Sequence, residues 1–136
     1  MDDPLSKFPG YSLRRAATAM TGELSRRLVA LDLRLVDTSV LLVIEANPQI
    51  TASAIGRALD IQRATMVPLL KRIEDAGLIE RAPIDGKSQG LSLTKAGRQR
   101  IAQARETIEA FEAELIQRVP EEHREHLLPA LNSLWS

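Results

Sequence analysis

Residues 51–93 read TASAIGRALDIQRATMVPLLKRIEDAGLIERAPIDGKSQGLSL, and the order of elements in this stretch decides the fold. Thr51 is a good N-cap for a short helix in which Ala54, Ile55, Ala58 and Leu59 face inward. Asp60-Ile61-Gln62 breaks it. A second helix then runs from about Arg63 to Ala76 with Met66, Leu69, Leu70 and Ile73 inside, and Gly77 supplies the left-handed residue that ends it. Leu78-Ile79-Glu80-Arg81-Ala82 alternates like a strand, and so does Leu91-Ser92-Leu93. Between them Asp85-Gly86 predicts a type I′ hairpin turn, in which both central residues need positive φ. Pro83 cannot donate to a ladder, so its strand is an edge. Two short helices alone describe any helical hairpin; all four elements in this order are far more specific.

Helix, turn, helix and a two-stranded wing make a winged helix-turn-helix. Upstream, residues 1–10 carry Pro4, Pro9 and Gly10 and read as an irregular arm. Ser12 is a plausible cap for an amphipathic helix with Leu13, Ala17, Met20, Leu24, Leu28 and Leu31 on one face. Asp37 or Thr38 caps the next helix, which is apolar nearly all round through Val40–Ile44 and stops before Asn47-Pro48. Downstream, Thr94 caps a segment reaching about Arg118 with Ile101, Ala104, Ile108, Phe111, Leu115 and Val119 in a stripe. About 25 residues at ~1.5 Å each make a rod of about 37 Å, longer than the core of so small a domain needs. Pro120 suits the first position of a final helix with Leu127, Leu128, Leu131, Leu134 and Trp135 on its apolar side, and Pro129 must kink or split it. The expected architecture is mainly α with a small β-wing. It divides into the arm (1–10), an N-terminal dimerisation helix (11–35), the winged helix-turn-helix (36–100) and C-terminal dimerisation helices (101–136).

Composition narrows the chemistry. The chain has 136 residues, suited to one domain, and no cysteine, which removes disulfides, thiolate nucleophiles and cysteine-based zinc sites. His123 and His126 are three apart, where a zinc-protease helix needs four with glutamate after the first. No Gly-rich phosphate loop or GxSxG stands in the sequence, so no enzyme, metal or cofactor is expected. No apolar run approaches the ~18 residues of a membrane span, and a cytoplasmic protein is the default. The net charge is zero, 18 Lys/Arg against 18 Asp/Glu, which alone argues against nucleic acid. The charges are unevenly placed, however. Residues 51–100 hold nine Lys/Arg and five Asp/Glu, and residues 101–136 hold three and seven. The middle is basic and the tail acidic.

At this point the chain resembles the MarR family of transcriptional regulators. The run Ile61-Gln62-Arg63-Ala64-Thr65-Met66-Val67, continued by Leu70-Lys71-Arg72-Ile73-Glu74-Asp75-Ala76-Gly77-Leu78-Ile79-Glu80-Arg81, is similar to that family's recognition helix and first wing strand. Asp85-Gly86-Lys87-Ser88-Gln89-Gly90-Leu91-Ser92-Leu93-Thr94-Lys95-Ala96-Gly97 is similar to its wing and the start of the next helix. The resemblance implies a homodimer on a double-stranded, pseudo-palindromic operator, commonly a repressor, released by a small and often aromatic effector. Two positions depart from the pattern. The family often carries a polar residue and an arginine where this chain has Val67 and Pro68, and Asp-Arg-Arg where it has Asp85-Gly86-Lys87.

Winged-helix docking puts the start of the second motif helix into the major groove. Gln62, Arg63 and Thr65 are the polar side chains there. Arg63 either reads guanine bidentately, contacts phosphate or is solvated; Gln62 suits adenine. Pro68 either bends this helix along the groove or sits in the first turns of a later-starting one. Thr51 and Ser53 offer hydroxyls and amides to phosphate, and Lys71 and Arg72 are backbone contacts or solvated. Lys87, Ser88 and Gln89 form a polar wing tip, with Arg81, Asp85 and Gly86 as its structural residues. Tyr11, Arg14, Arg15, Ser39 and Val43 are candidates for an effector crevice, where an arginine holds a carboxylate or the phosphates of a thioester, although both arginines also suit solvated helix positions. The rival reading keeps the fold and makes it a protein-interaction module without sequence-specific DNA binding.

Overall fold

In a computed structural model, which describes residues 1–136, Pro9 opens the first helix, α1 (Pro9–Val29), from an extended Phe8. Proline's fixed φ suits a first helical position, and its missing N–H is one the helix leaves unpaired anyway. The helix therefore starts ahead of the expected Ser12 cap, and the arm shortens to residues before Pro9. In α2 (Leu35–Ala46) neither Asp37 nor Thr38 is the cap. Arg34 is, and Asp37 acts from inside the first turn, accepting the Arg34 N–H at 3.0 Å. A carboxylate three residues into a helix reaches back to a free amide in this way.

The motif helices are α3 (Ala52–Leu59) and α4 (Arg63–Asp75). Thr51 caps α3 as expected, its Oγ1 accepting from the Ala54 N–H at 3.2 Å. Ile55 is fully buried, but Ala58 is exposed rather than inward, because α4 and α2 cover only one side of so short a helix. Asp60 ends α3 at φ 54°. Because α4 begins at Arg63, Pro68 lies in its second turn, inside the helix and not at a delayed start. Gly77 closes the helix at φ 78°.

Strands β1 (Ile79–Pro83) and β2 (Gln89–Leu93) pair antiparallel, from Ile79 opposite Leu93 to Pro83 opposite Gln89. The type I′ turn is not formed. Ile84 N–H donates to Ser88 O at 2.9 Å, and neither Asp85 nor Gly86 has positive φ. Asp85 Oδ1 instead accepts the N–H groups of Lys87 (2.8 Å) and Ser88 (2.9 Å). A side chain taking two amide donors offers the loop a route other than the tight turn. On its other edge β2 exchanges hydrogen bonds with the segment before α3: Gln49 N–H to Leu91 O at 3.0 Å, and Leu91 N–H to Ile50 O at 2.8 Å. Gly90 permits this approach, since a Cβ there would stand 2.8 Å from Gln49 O.

Helix α5 (Lys95–Arg118) starts from Thr94, whose Oγ1 donates to Gly77 O and accepts from the Gly97 N–H. The core joins Leu28, Val40, Leu41, Ile44, Ile55, Leu70, Leu78, Leu91 and Ile101, so α1's end, α2, the motif, the wing and α5 share one interior. Along α1 and α5, Glu23 accepts from Arg27 and Arg118, and Arg27 also pairs with Glu114. Those hydrogen bonds, Arg27's first, hold the Glu23 carboxyl below its usual range, and Glu114 and Glu23 raise Arg27. Arg105 of α5 pairs with Glu45 of α2.

The C-terminal end differs from expectation in two ways. Pro120 precedes a single 3-10 turn (Glu121–His123), not the final helix itself. Helix α6 (Arg124–Asn132) then runs through Pro129 unbroken, its second turn tolerating the lost bond at an end that has no buried residue. Leu128 on this helix and Leu134 and Trp135 (80% exposed) just beyond it are uncovered, as are Leu13 in the second turn of α1 and Val29 at its end.

Candidate nucleic-acid interface

The N-termini of α3 and α4 and the wing enclose a cleft of about 730 Å³. Thr51, Ser53, Arg63, Arg81, Asp85, Gly86, Lys87, Ser88 and Gln89 all line it. Residues chosen from separate parts of the chain thus meet in one place. Thr51 Oγ1 accepts within its own helix turn and keeps its proton to donate outward. Gln62, at the N-cap of α4, and Thr65 in its first turn are exposed beside the cleft. A second hollow, of about 640 Å³, continues along α4 between Arg57, Asp60, Arg63, Val67 and Arg81. Four cations, Arg57, Arg63, Arg81 and Lys87, stand in the two hollows against Asp60 and Asp85.

One of the expected contacts changes role. Arg72 is not available to a phosphate backbone: its guanidinium pairs with Asp37, whose side chain is only 6% exposed. A carboxylate so buried needs a cation, and Arg72 is the one that α4 presents to it. Lys71 is exposed and paired within its helix to Asp75 at 3.3 Å, a solvated pair that competes weakly with any partner. Arg81 Nε donates to Glu74 Oε2 at 2.9 Å, bracing β1 against α4. Asp85 ties down the loop that presents Lys87.

Sequence reasoning missed Arg57 and Val67. Arg57 sits in a helix expected to matter only at its start, and its position toward α4 is visible only once the two helices are packed. The sequence marks Val67 only as a departure from the family's pattern, and 58% of it is exposed. Its spacing was the available signal: it falls outside the Met66, Leu69, Leu70, Ile73 face.

Of the effector candidates, three gather at the start of α1. Arg15 donates to the Tyr11 hydroxyl at 2.8 Å, and the Arg14 and Arg15 guanidinium groups lie 5.7 and 5.8 Å from the Tyr11 ring centre. Ser39 and Val43 are half-buried on α2, the Ser39 hydroxyl donating to Leu35 O at 3.2 Å. Neither the two hollows above nor a third of about 240 Å³ around Val29, Arg34, Asp37 and Arg72 is lined by any of the five.

Comparison with known proteins agrees with this geometry. The model described as MarR family matches residues 31–88. The HTH-type transcriptional repressor Rv2887 of Mycobacterium tuberculosis is 26% identical over 129 residues, covering 93% of each chain. A solved structure of the transcriptional repressor CouR is 30% identical, with a TM-score of 0.84 over 96% of this chain and 93% of that one. CouR bound to a 23-mer DNA duplex superposes with a TM-score of 0.90 at 27% identity over the whole of both chains. CouR bound to p-coumaroyl-CoA does so with a TM-score of 0.87 at 29% identity, over 98% of this chain and 96% of that one.

Proposed function

This chain belongs to the MarR family, and from that premise we propose that it is a DNA-binding transcriptional regulator, a repressor released from its operator by a small effector. The observation that carries the reading is the single cleft shared by the N-termini of α3 and α4 and the wing. Arg63 stands where a base edge is read, Thr51 and Ser53 where a phosphate meets hydroxyls and amides, and Lys87 at a wing tip suited to phosphate or a narrow minor groove. The net-acidic segment 101–136 covers most of α5, the 3-10 turn and α6, outside that cleft.

The working unit is a homodimer. The uncovered apolar residues of the two chain ends, Leu13 and Val29 on α1 and Leu128, Leu134 and Trp135 on and beyond α6, support that reading. Two-fold symmetry then presents two α4 helices to a pseudo-palindromic site about one DNA turn apart. For the effector, Tyr11 with Arg14 and Arg15 combines an aromatic face with two guanidinium groups, which suits an aromatic acid or the phosphates of an aryl thioester. CouR has been solved with p-coumaroyl-CoA, which makes that thioester class the first to test. No helix of the chain is long and apolar enough to cross a membrane, and the proposed place of work is the cytoplasm.

Selection of duplexes from a random pool by the purified protein, followed by fluorescence anisotropy over a salt series, tests the reading. The expected result is an enriched inverted repeat whose binding weakens steeply with salt, with a log–log slope of about −0.9 per neutralised phosphate. Binding without sequence preference and without salt dependence would refute it. Adding aromatic acids and their coenzyme A thioesters to the complex tests the effector. Release by neither class would remove that part.

A further inference from the structure

Near its start, the side of α4 that faces away from the core is apolar where a groove-reading helix is ordinarily polar. Met66, Leu69, Leu70 and Ile73 are buried, and at 100° per residue the direction opposite them falls on Ala64, Pro68, Lys71 and Asp75, with Val67 to one side of these. Lys71 and Asp75 pair with each other toward the end of the helix, whereas Ala64, Val67 and Pro68 near its start carry no hydrogen-bonding side chain; all five are exposed. Val67 is a large hydrophobe, 58% exposed, that lines a hollow together with three cations, Arg57, Arg63 and Arg81. An apolar patch at the centre of a cationic reading face fits the one apolar group in the major groove. Thymine alone among the four bases presents a methyl there; the other edges offer donors and acceptors that Val67 would desolvate without replacing.

We infer that Val67 is a specificity-determining residue that packs on the C5-methyl group of a thymine in each operator half-site, with Ala64 and Pro68 completing the apolar contact. The inference rests on the DNA-reading function proposed above and adds to it one base and the side chain that selects it. Pro68 has its place in this arrangement. It brings apolar surface to that face, at the cost of the bond that an N–H at this position would make to the Ala64 carbonyl.

The test begins with the duplex enriched from the random pool by the wild-type protein. Each thymine of that duplex is replaced in turn by deoxyuridine, which removes the methyl and nothing else. One thymine per half-site should then weaken binding about four-fold, the factor for taking one methyl-sized group out of water, and the symmetric pair about fifteen-fold. In Val67→Ala the same replacements should change affinity by less than about two-fold, while its thermal midpoint stays at the wild-type value because the residue is exposed. If no thymine is sensitive in the wild type, or if Val67→Ala keeps the wild-type sensitivity, the inference is overturned although the regulator reading stands. If the pool yields no enriched sequence, the regulator reading itself fails and this inference with it.

Discussion

Replacing Arg72 by alanine should destabilise the protein far more than a half-exposed arginine ordinarily would. The Asp37 side chain is 6% exposed and accepts from two donors, the Arg34 N–H and the Arg72 guanidinium, whose own side chain is 39% exposed. Removing one partner of a buried pair leaves a desolvated charge and costs about 3–5 kcal/mol when both partners are buried. Arg72 is open to water on one side and the Arg34 N–H remains, so about 2–3 kcal/mol is the expected loss. At roughly 3–4 °C per kcal/mol for a chain of this size, the thermal midpoint should fall by about 6–12 °C at fixed protomer concentration. Asp37→Asn added to Arg72→Ala removes the stranded charge and keeps an acceptor for Arg34, so at least half of the loss should return. Calorimetry of the wild type, the single variant and the double variant reads all three. A loss below about 0.5 kcal/mol in Arg72→Ala, or a double variant less stable than the single one, would show that the pair does not brace α4 against α2.

Other outcomes follow from the same geometry. Arg63→Ala should weaken operator binding by about 1–3 kcal/mol and flatten discrimination at one base per half-site, read by anisotropy on single-base variants; an unchanged preference would assign Arg63 to phosphate. Lys87→Ala should weaken all duplexes alike and reduce the salt slope by about 0.9 for each phosphate that the side chain neutralises in the wild type. The lowered Glu23 carboxyl gives a pH signature, because Arg27 and Arg118 favour its charged form only in the folded state. That stability is fully present above the unfolded value of about 4.5 and is lost as pH falls through the lower folded one. Glu23→Gln should therefore be less stable than wild type at neutral pH and converge with it below that window in acid-unfolding curves.

The order of elements was legible because each carried its own punctuation: Thr51 and Thr94 as caps, Gly77 as a stop, and Met66, Leu69, Leu70 and Ile73 as a face. So was the composition of the cleft, since hydroxyls and cations at helix starts and wing tips have few other uses. Most of what escaped depends on partners distant in the chain, with the wing loop as the local exception. Asp37 reads as a helix cap and Arg72 as a backbone contact or a solvated charge until folding buries the carboxylate against the guanidinium. The wing loop departs from its dipeptide signal because the Asp85 carboxylate takes the Lys87 and Ser88 amides. Gln49 becomes a neighbour of Leu91 only when Gly90 admits it. Neither local propensity nor periodicity encodes such pairings.

Gly97 is where this fold becomes a machine. A side chain there would overlap Leu78 O, and Thr94 adds bonds to Gly77 and Gly97, so the foot of α5 is bolted to the exit of the reading helix. From that pivot α5 extends 24 residues, an arm of about 36 Å. If its far end is clamped to a second protomer, a tilt of only about 4° over that arm swings the foot by about 2.5 Å. Base pairs are stacked at about 3.4 Å along each strand, so most of one step of register is lost between the two heads. An effector lodged beside the arm need not unfold or occupy the cleft to clear the operator; it need only change the angle of a stiff lever by a few degrees.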